Sequence, residues 1–161
     1  MLKITVPASS ANLGAGFDAL GLALTLYNRV WMEEADGCHI ESADGVPIPT
    51  DETNLIYHTA RVLYRRCGRP FRGLHIRQEN NIPMARGLGS SSACLVAGLL
   101  GANTLLGSPL GPEDVADLAT TWLPRCSAAW SPPLWTADGS TPSAYRCRNA
   151  SASLFSSRIS S

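Results

Sequence analysis

The hydrophobic and polar positions along this chain follow two periods. At the start, Leu2, Ile4 and Val6 alternate with Lys3 and Thr5, the two-residue period of a strand, and the pattern predicts a short opening strand that stops at Pro7. From Leu20 to Glu33 apolar and β-favouring residues run on, broken only at Asn28 and Arg29, which predicts more extended sheet. "ESADGVPIPTDETN" then supplies the Gly, Pro, Asp and Asn of a surface connection. Beyond it the period changes. Leu55, Ile56, Thr59, Leu63 and Cys67 recur at helical spacing, preceded by Asp51 and Glu52 and closed by Gly68 and Pro70, so a helix is predicted over 54–67. "RGLHIRQEN" returns to alternation, Leu74 and Ile76 against His75 and Arg77, and reads as a strand. A Gly/Ser loop follows it. Cys94, Leu95, Leu99, Ala102 and Leu106 then line one face of a long, mostly buried helix starting near Ser90, while Ala97, Gly98 and Gly101 leave another face small enough for close packing. Gly111 and Pro112 open a last helix, with Glu113 and Asp114 in the first turn where the helix dipole favours acids.

Composition narrows the setting. The 161 residues suit one domain or part of one, and no internal repeat or dividing linker is visible. Thirteen basic and thirteen acidic residues give a formal net charge of +0, with no bias towards nucleic acid or an acidic substrate. The five cysteines, Cys38, Cys67, Cys94, Cys126 and Cys147, form no CxxC pair and favour thiols in a reducing compartment over disulfides. "MLKITVPASS" lacks the apolar core of a signal peptide, and no run approaches the roughly 18 apolar residues of a membrane span, so a cytoplasmic location is expected.

Two loops carry candidate chemistry. In "PMARGLGSSSA", Gly87 and Gly89 let the backbone turn and approach a ligand closely. The N–H groups of Ser90, Ser91 and Ser92 start a helix, where they suit phosphate. The Gly-Lys-Ser/Thr ending of a Walker loop is absent, and the only lysine is Lys3. The same pattern also suits a turn that merely caps a helix. In "PASSANLGAGFDALG", Gly14 and Gly16 lack the third glycine of a dinucleotide fingerprint, while Asn12 and Asp18 offer an amide and a carboxylate to a small ligand or, alternatively, to their own backbone as turn residues. His39, His58 and His75 are scattered and read as surface residues or half-buried filler, and Glu33, Glu34, Asp51 and Glu52 read as solvated surface.

As a pair the loops resemble the GHMP kinase family. "KITVPASSANLGAGFDALGLAL" is similar to the PAS-x-x-N-x-G-x-GFD-x-LG signature of its homoserine-phosphorylating branch, and "IPMARGLGSSSA" to the family's P-x-x-x-GLGSS-A phosphate loop. "TNLIYHTA" and "LHIRQENNIP" stand in family order, and the resemblance covers residues 1–120. It implies an α+β fold of the ribosomal protein S5 domain 2-like type and an incomplete ATP-binding N-terminal domain over 1–120. It further implies transfer of the γ-phosphoryl group of ATP to the hydroxyl of L-homoserine in threonine biosynthesis. By position, Pro83, Met84, Ala85, Arg86, Gly87, Leu88, Gly89, Ser90, Ser91, Ser92 and Ala93 would cradle ATP. Ser91 would offer its hydroxyl to Mg²⁺, and Asn12 and Asp18 would hold homoserine, Asp18 meeting its ammonium. A homodimer is what the family suggests. The alternatives are a non-catalytic nucleotide-binding fragment and another GHMP small-molecule kinase.

The resemblance breaks after Thr120. The family's third signature, E-x-x-G-H-x-D-N-V-A-P, brings an acidic Mg²⁺ ligand and a substrate-facing Asn; "LATTWLPRC" stands in its place, so no catalytic residue is assignable and the chain is expected to be inactive. From Thr121 onward Asp138 is the only acid, against Arg125, Arg146, Arg148 and Arg158. Joining the third base of each codon to the first two of the next lets Thr120 to Pro124 encode Asn-Val-Ala-Pro, and later stretches permit strand-like, family-ordered runs. A deletion with a change of frame after about Thr120 accounts for this, making 121–161 an aberrant, poorly ordered tail. A native Ser/Pro-rich tail is the alternative.

Overall fold

The computed structural model describes residues 1–10 and 21–122. In chain order the described elements are β1 (Leu2–Ser10), β2 (Leu22–Glu34), β3 (Gly37–Ser42), α1 (Leu55–Arg66), β4 (Gly73–Asn80), α2 (Ser90–Leu105) and α3 (Pro112–Trp122). The strands form one sheet in the order β1-β2-β4-β3, with β1–β2 and β2–β4 antiparallel and β3–β4 parallel. The expected α+β class is what the chain adopts.

Alternation aims one face of the sheet at the helices. Ile4, Val6 and Ala8 of β1, Val30 and Met32 of β2, and Leu74 and Ile76 of β4 are all fully buried on that side. β1 does not end at Pro7 as the sequence pattern predicts. It continues to Ser10, with a register shift between Pro7 and Ala8 opposite β2. β1 lies at the sheet edge, where a proline's missing N–H is tolerated, and the irregularity sits beside it. β3 was not foreseen: its six residues, GCHIES, are a half-exposed edge strand too short and polar to stand out.

α2 is the central helix, buried on nearly every side from Ser92 to Asn103. The two glycines predicted to allow close packing do so on different neighbours. A Cβ at Gly98 would lie 2.6 Å from Ile56 O of α1, and one at Gly101 would lie 2.7 Å from Met32 Sδ of β2. α1 is capped by Asn54, whose side chain accepts from Ile56 N at 2.9 Å. The acids expected at its start lie outside its first turn; Asp51 instead closes the preceding turn, accepting from Thr53 N at 2.9 Å. Phe71 packs edge-on against Tyr57 and Tyr64, with ring centroids 5.3 and 5.2 Å away. α3 adds Val115, Leu118 and Ala119 to the core and runs on to Trp122.

Candidate functional site

The chain from Pro83 to Gly89 forms the loop between β4 and α2. Its shape depends on residues in the left-handed region: Ala85 at φ 57°, Gly87 at φ 71° and Gly89 at φ 70°, the last being the N-cap of α2. Nothing lies within 4 Å of a Cβ built at Gly87, so that glycine faces open space. Gly89 is the reverse case, since a Cβ there would meet Ser9 Oγ at 2.6 Å and Ser9 O at 3.0 Å. Ser9 N also donates to Leu88 O at 3.1 Å. The end of β1 is thereby fastened to the loop, which brings the entrance of the 11–20 segment to the start of α2.

Beyond the loop, Ser90 is half-buried, Ser91 exposed, and Ser92 and Ala93 buried. The first intrahelical bond runs from Ala93 N to Gly89 O at 2.8 Å, so the N–H groups of the first turn precede the internal ladder, the arrangement that suits an anion. These groups border an open pocket of about 380 Å³. Its other wall is Pro47, Ile48, Pro49, Thr53, Asn54 and Leu55, and its floor includes Gln78, Asn80 and Cys94. The segment read as a mere surface connection therefore supplies one side of the cavity.

The polar floor is the part that sequence reasoning missed. Asn28 Nδ2 donates to Cys94 Sγ at 3.2 Å, and Gln78 Nε2 donates to Asn28 Oδ1 at 3.2 Å and to Cys94 Sγ at 3.4 Å. Burial pushes the Cys94 thiol up, against a smaller opposing effect of the two amide donors, so it stays a thiol rather than a thiolate. The available signal was parity: Gln78 and Asn80 share the alternation of Leu74 and Ile76 and must face the same way. Asn80 Nδ2 donates to Ser90 Oγ at 3.3 Å and Asn80 Oδ1 accepts from Ile82 N at 3.3 Å. Its own N–H donates to Asp44 Oδ2 at 2.7 Å.

Of the predicted site residues, Pro83 to Ala93 lie together at the loop and helix start, and Pro83 to Ser91 border the pocket. Asn12 and Asp18 lie outside the described residues, as does the tail from 123 onward, with Cys126 and Cys147. His39 and His58 are exposed and His75 is half-buried beside Glu33, 3.3 Å away; none borders the pocket. Cys38, Cys67 and Cys94 are free thiols. Among the described residues no group of three or more His, Cys, Asp or Glu could hold a metal, and no helix is long and apolar enough to cross a membrane.

A glycine loop that joins a strand of this sheet to a buried helix and opens on a pocket defines a class, and known proteins share it. Residues 54–124 match the GHMP kinases N terminal domain. Over a longer stretch the similarity runs to homoserine kinases. That of Moorella thermoacetica is 45% identical over 124 residues, 75% of this chain and 42% of the relative. That of Caldanaerobacter subterraneus subsp. tengcongensis is 49% identical over 122 residues, 74% and 39% respectively. A Listeria monocytogenes structure described as a homoserine kinase superposes with a TM-score of 0.71 at 42% identity, covering 84% of this chain and 48% of that one. A mevalonate kinase at 15% identity and TM-score 0.59 shares the fold. The chain spans about 40% of the length of the curated relatives it matches.

Proposed function

We propose that this chain supplies the ATP-binding part of a homoserine kinase, an enzyme that moves the γ-phosphoryl group of ATP to the hydroxyl of L-homoserine in threonine biosynthesis. The observation that carries the reading is the left-handed Gly87/Gly89 loop delivering the first turn of α2 to an open pocket. Its physical logic is that of phosphoryl transfer, which requires mainly positioning and neutralisation of charge. The backbone N–H groups at the start of α2 would donate to phosphate oxygens, and the open space at Gly87 allows the approach. Arg86, exposed on the loop, would add a cation.

Asn12 and Asp18 would hold homoserine, the carboxylate of Asp18 meeting the substrate ammonium. The Ser9–Leu88 bond supports this, because it ties the strand leading to that segment to the phosphate loop. The residues at the start of α2 offer Mg²⁺ the exposed hydroxyl of Ser91. They suit a metal that arrives on the nucleotide rather than a resident ion, and no step is assigned to it. The location is cytoplasmic and the assembled enzyme a homodimer in this reading.

The tail after Thr120 is a shifted-frame segment, and with the acidic signature missing the chain binds ATP without turning it over. Titration calorimetry with Mg-ATP, beside an ADP-formation assay with homoserine and a panel of alcohols, tests this. Binding with no ADP release is expected. Turnover of homoserine would refute the loss of activity, turnover of a different alcohol would change the substrate, and no heat of binding would remove the nucleotide reading.

A further inference from the structure

Asn80 is 8% exposed at the end of β4, and its N–H, Oδ1 and Nδ2 reach three different segments. Its N–H is held by Asp44 Oδ2 at 2.7 Å, its Oδ1 takes the Ile82 N–H at 3.3 Å just before the glycine loop, and its Nδ2 donates to Ser90 Oγ at 3.3 Å. An amide nitrogen can only donate, so the serine oxygen is the acceptor in that bond. One lone pair of Ser90 is thereby engaged, and its own O–H is left to donate elsewhere. Both residues border the pocket.

We propose that Asn80 is a positioning residue that sets the polarity of the Ser90 hydroxyl, making it a donor to a phosphate oxygen of the nucleotide. The proposal rests on the ATP-binding reading of this site. Ser90 alone is ambivalent, since a hydroxyl turns its proton towards whatever acceptor is near. With the Asn80 amide occupying its oxygen, the proton is directed to an anion, and a hydrogen bond to a charged group is worth more than a neutral one. Asp44 anchors the Asn80 backbone and the Ile82 N–H holds its Oδ1, so the amide that aims Nδ2 at Ser90 is oriented by the protein's own bonds.

The test is a double-mutant cycle on the 161-residue chain, with Asn80→Asp and Ser90→Ala singly and together. Asn80→Asp keeps an acceptor for Ile82 N but cannot donate to Ser90, and would draw the serine proton to itself. Asn80→Ala, run in parallel, removes both functions without adding charge. Dissociation constants for Mg-ATP and for adenosine, with thermal melting of each variant, are the readouts. In the Ser90 background Asn80→Ala should weaken ATP binding about tenfold, on the usual worth of a charge-assisted hydrogen bond, and leave adenosine binding unchanged. In the Ser90→Ala background the same substitution should change ATP affinity by less than about twofold. Equal losses in both backgrounds, or equal losses for ATP and adenosine, would overturn the positioning role while leaving the site intact. An unsubstituted chain that binds no ATP would overturn the site reading itself.

Discussion

Gly89 is where backbone conformation and packing forbid a side chain together. Its φ of 70° costs an L-residue energy, and its Cβ position is already occupied by Ser9 Oγ at 2.6 Å. Gly89→Ala should therefore destabilise the fold by about 1–3 kcal/mol and open the Ser9–Leu88 contact. ATP affinity should fall by more than about tenfold, because the first turn of α2 loses its fixed aim. Denaturant unfolding and calorimetry check it, and unchanged affinity would show that the loop does not hold phosphate through this geometry. Asp44 gives a residue-scale prediction about pH. Burial alone would raise its pKa, but hydrogen bonds from Val46 N, Ser42 Oγ and Asn80 N outweigh it and hold the carboxyl below its ordinary value. A lowered folded-state pKa contributes stability that is present above the ordinary carboxylate value and lost as pH falls through the folded one. The stability gap between the native chain and Asp44→Asn should be largest near neutral pH and close on acidification, as read by urea unfolding across that range; a gap independent of pH would remove the charge from the account.

At the scale of elements, the α1–α2 contact rests on the absence of a side chain at Gly98. A Cβ there would press 2.6 Å from Ile56 O and 3.0 Å from Thr59 Cβ, and backbone cannot step aside as a flexible side chain can. Gly98→Val should cost about 1–3 kcal/mol by overpacking, visible as a lower urea midpoint with little change in slope. Gly101 is the contrasting control: its near neighbours are the movable end of Met32 and Ile4 Cδ1, so Gly101→Ala should be tolerated better than Gly98→Ala. The smallness of Gly98 and Gly101 was legible in the sequence because it recurs on a helical face, and α1, β4 and α2 were legible from their periods. The continuation of β1 past Pro7 was not, because a proline at an irregular edge position looks locally like a strand end. β3 was not either, its short alternation lacking apolar weight. At the site, the loop was visible as a motif, but the pocket wall of Pro47 to Pro49 and Thr53 to Leu55, and the Gln78–Cys94 floor with the buried Asn28 bonded to it, exist only because the sheet brings distant residues together. Local patterning carries no such information.

Over the whole molecule, the buried apolar residues of the described chain run from Ile4 to Ala119, and the similarity to homoserine kinases extends over about the same stretch. The helices cover one face of the sheet, and Leu22, Leu26 and Met84 remain exposed. An apolar surface of this kind is stabilised by whatever packs on it. If the residues after Thr120 are a shifted-frame segment, they were never selected to do so, and the continuation encoded in the other frame was. Replacing residues 121–161 by that continuation should therefore raise the melting temperature by several degrees, since a gain of about 1 kcal/mol moves a domain of this size by roughly 2–8 °C. Cutting the chain after Trp122 is the complementary experiment and should leave Mg-ATP affinity within about twofold, as the described residues that line the pocket all precede that point. A tail whose removal abolishes nucleotide binding, or a replacement that does not stabilise, would show that residues 121–161 are a working part of this protein.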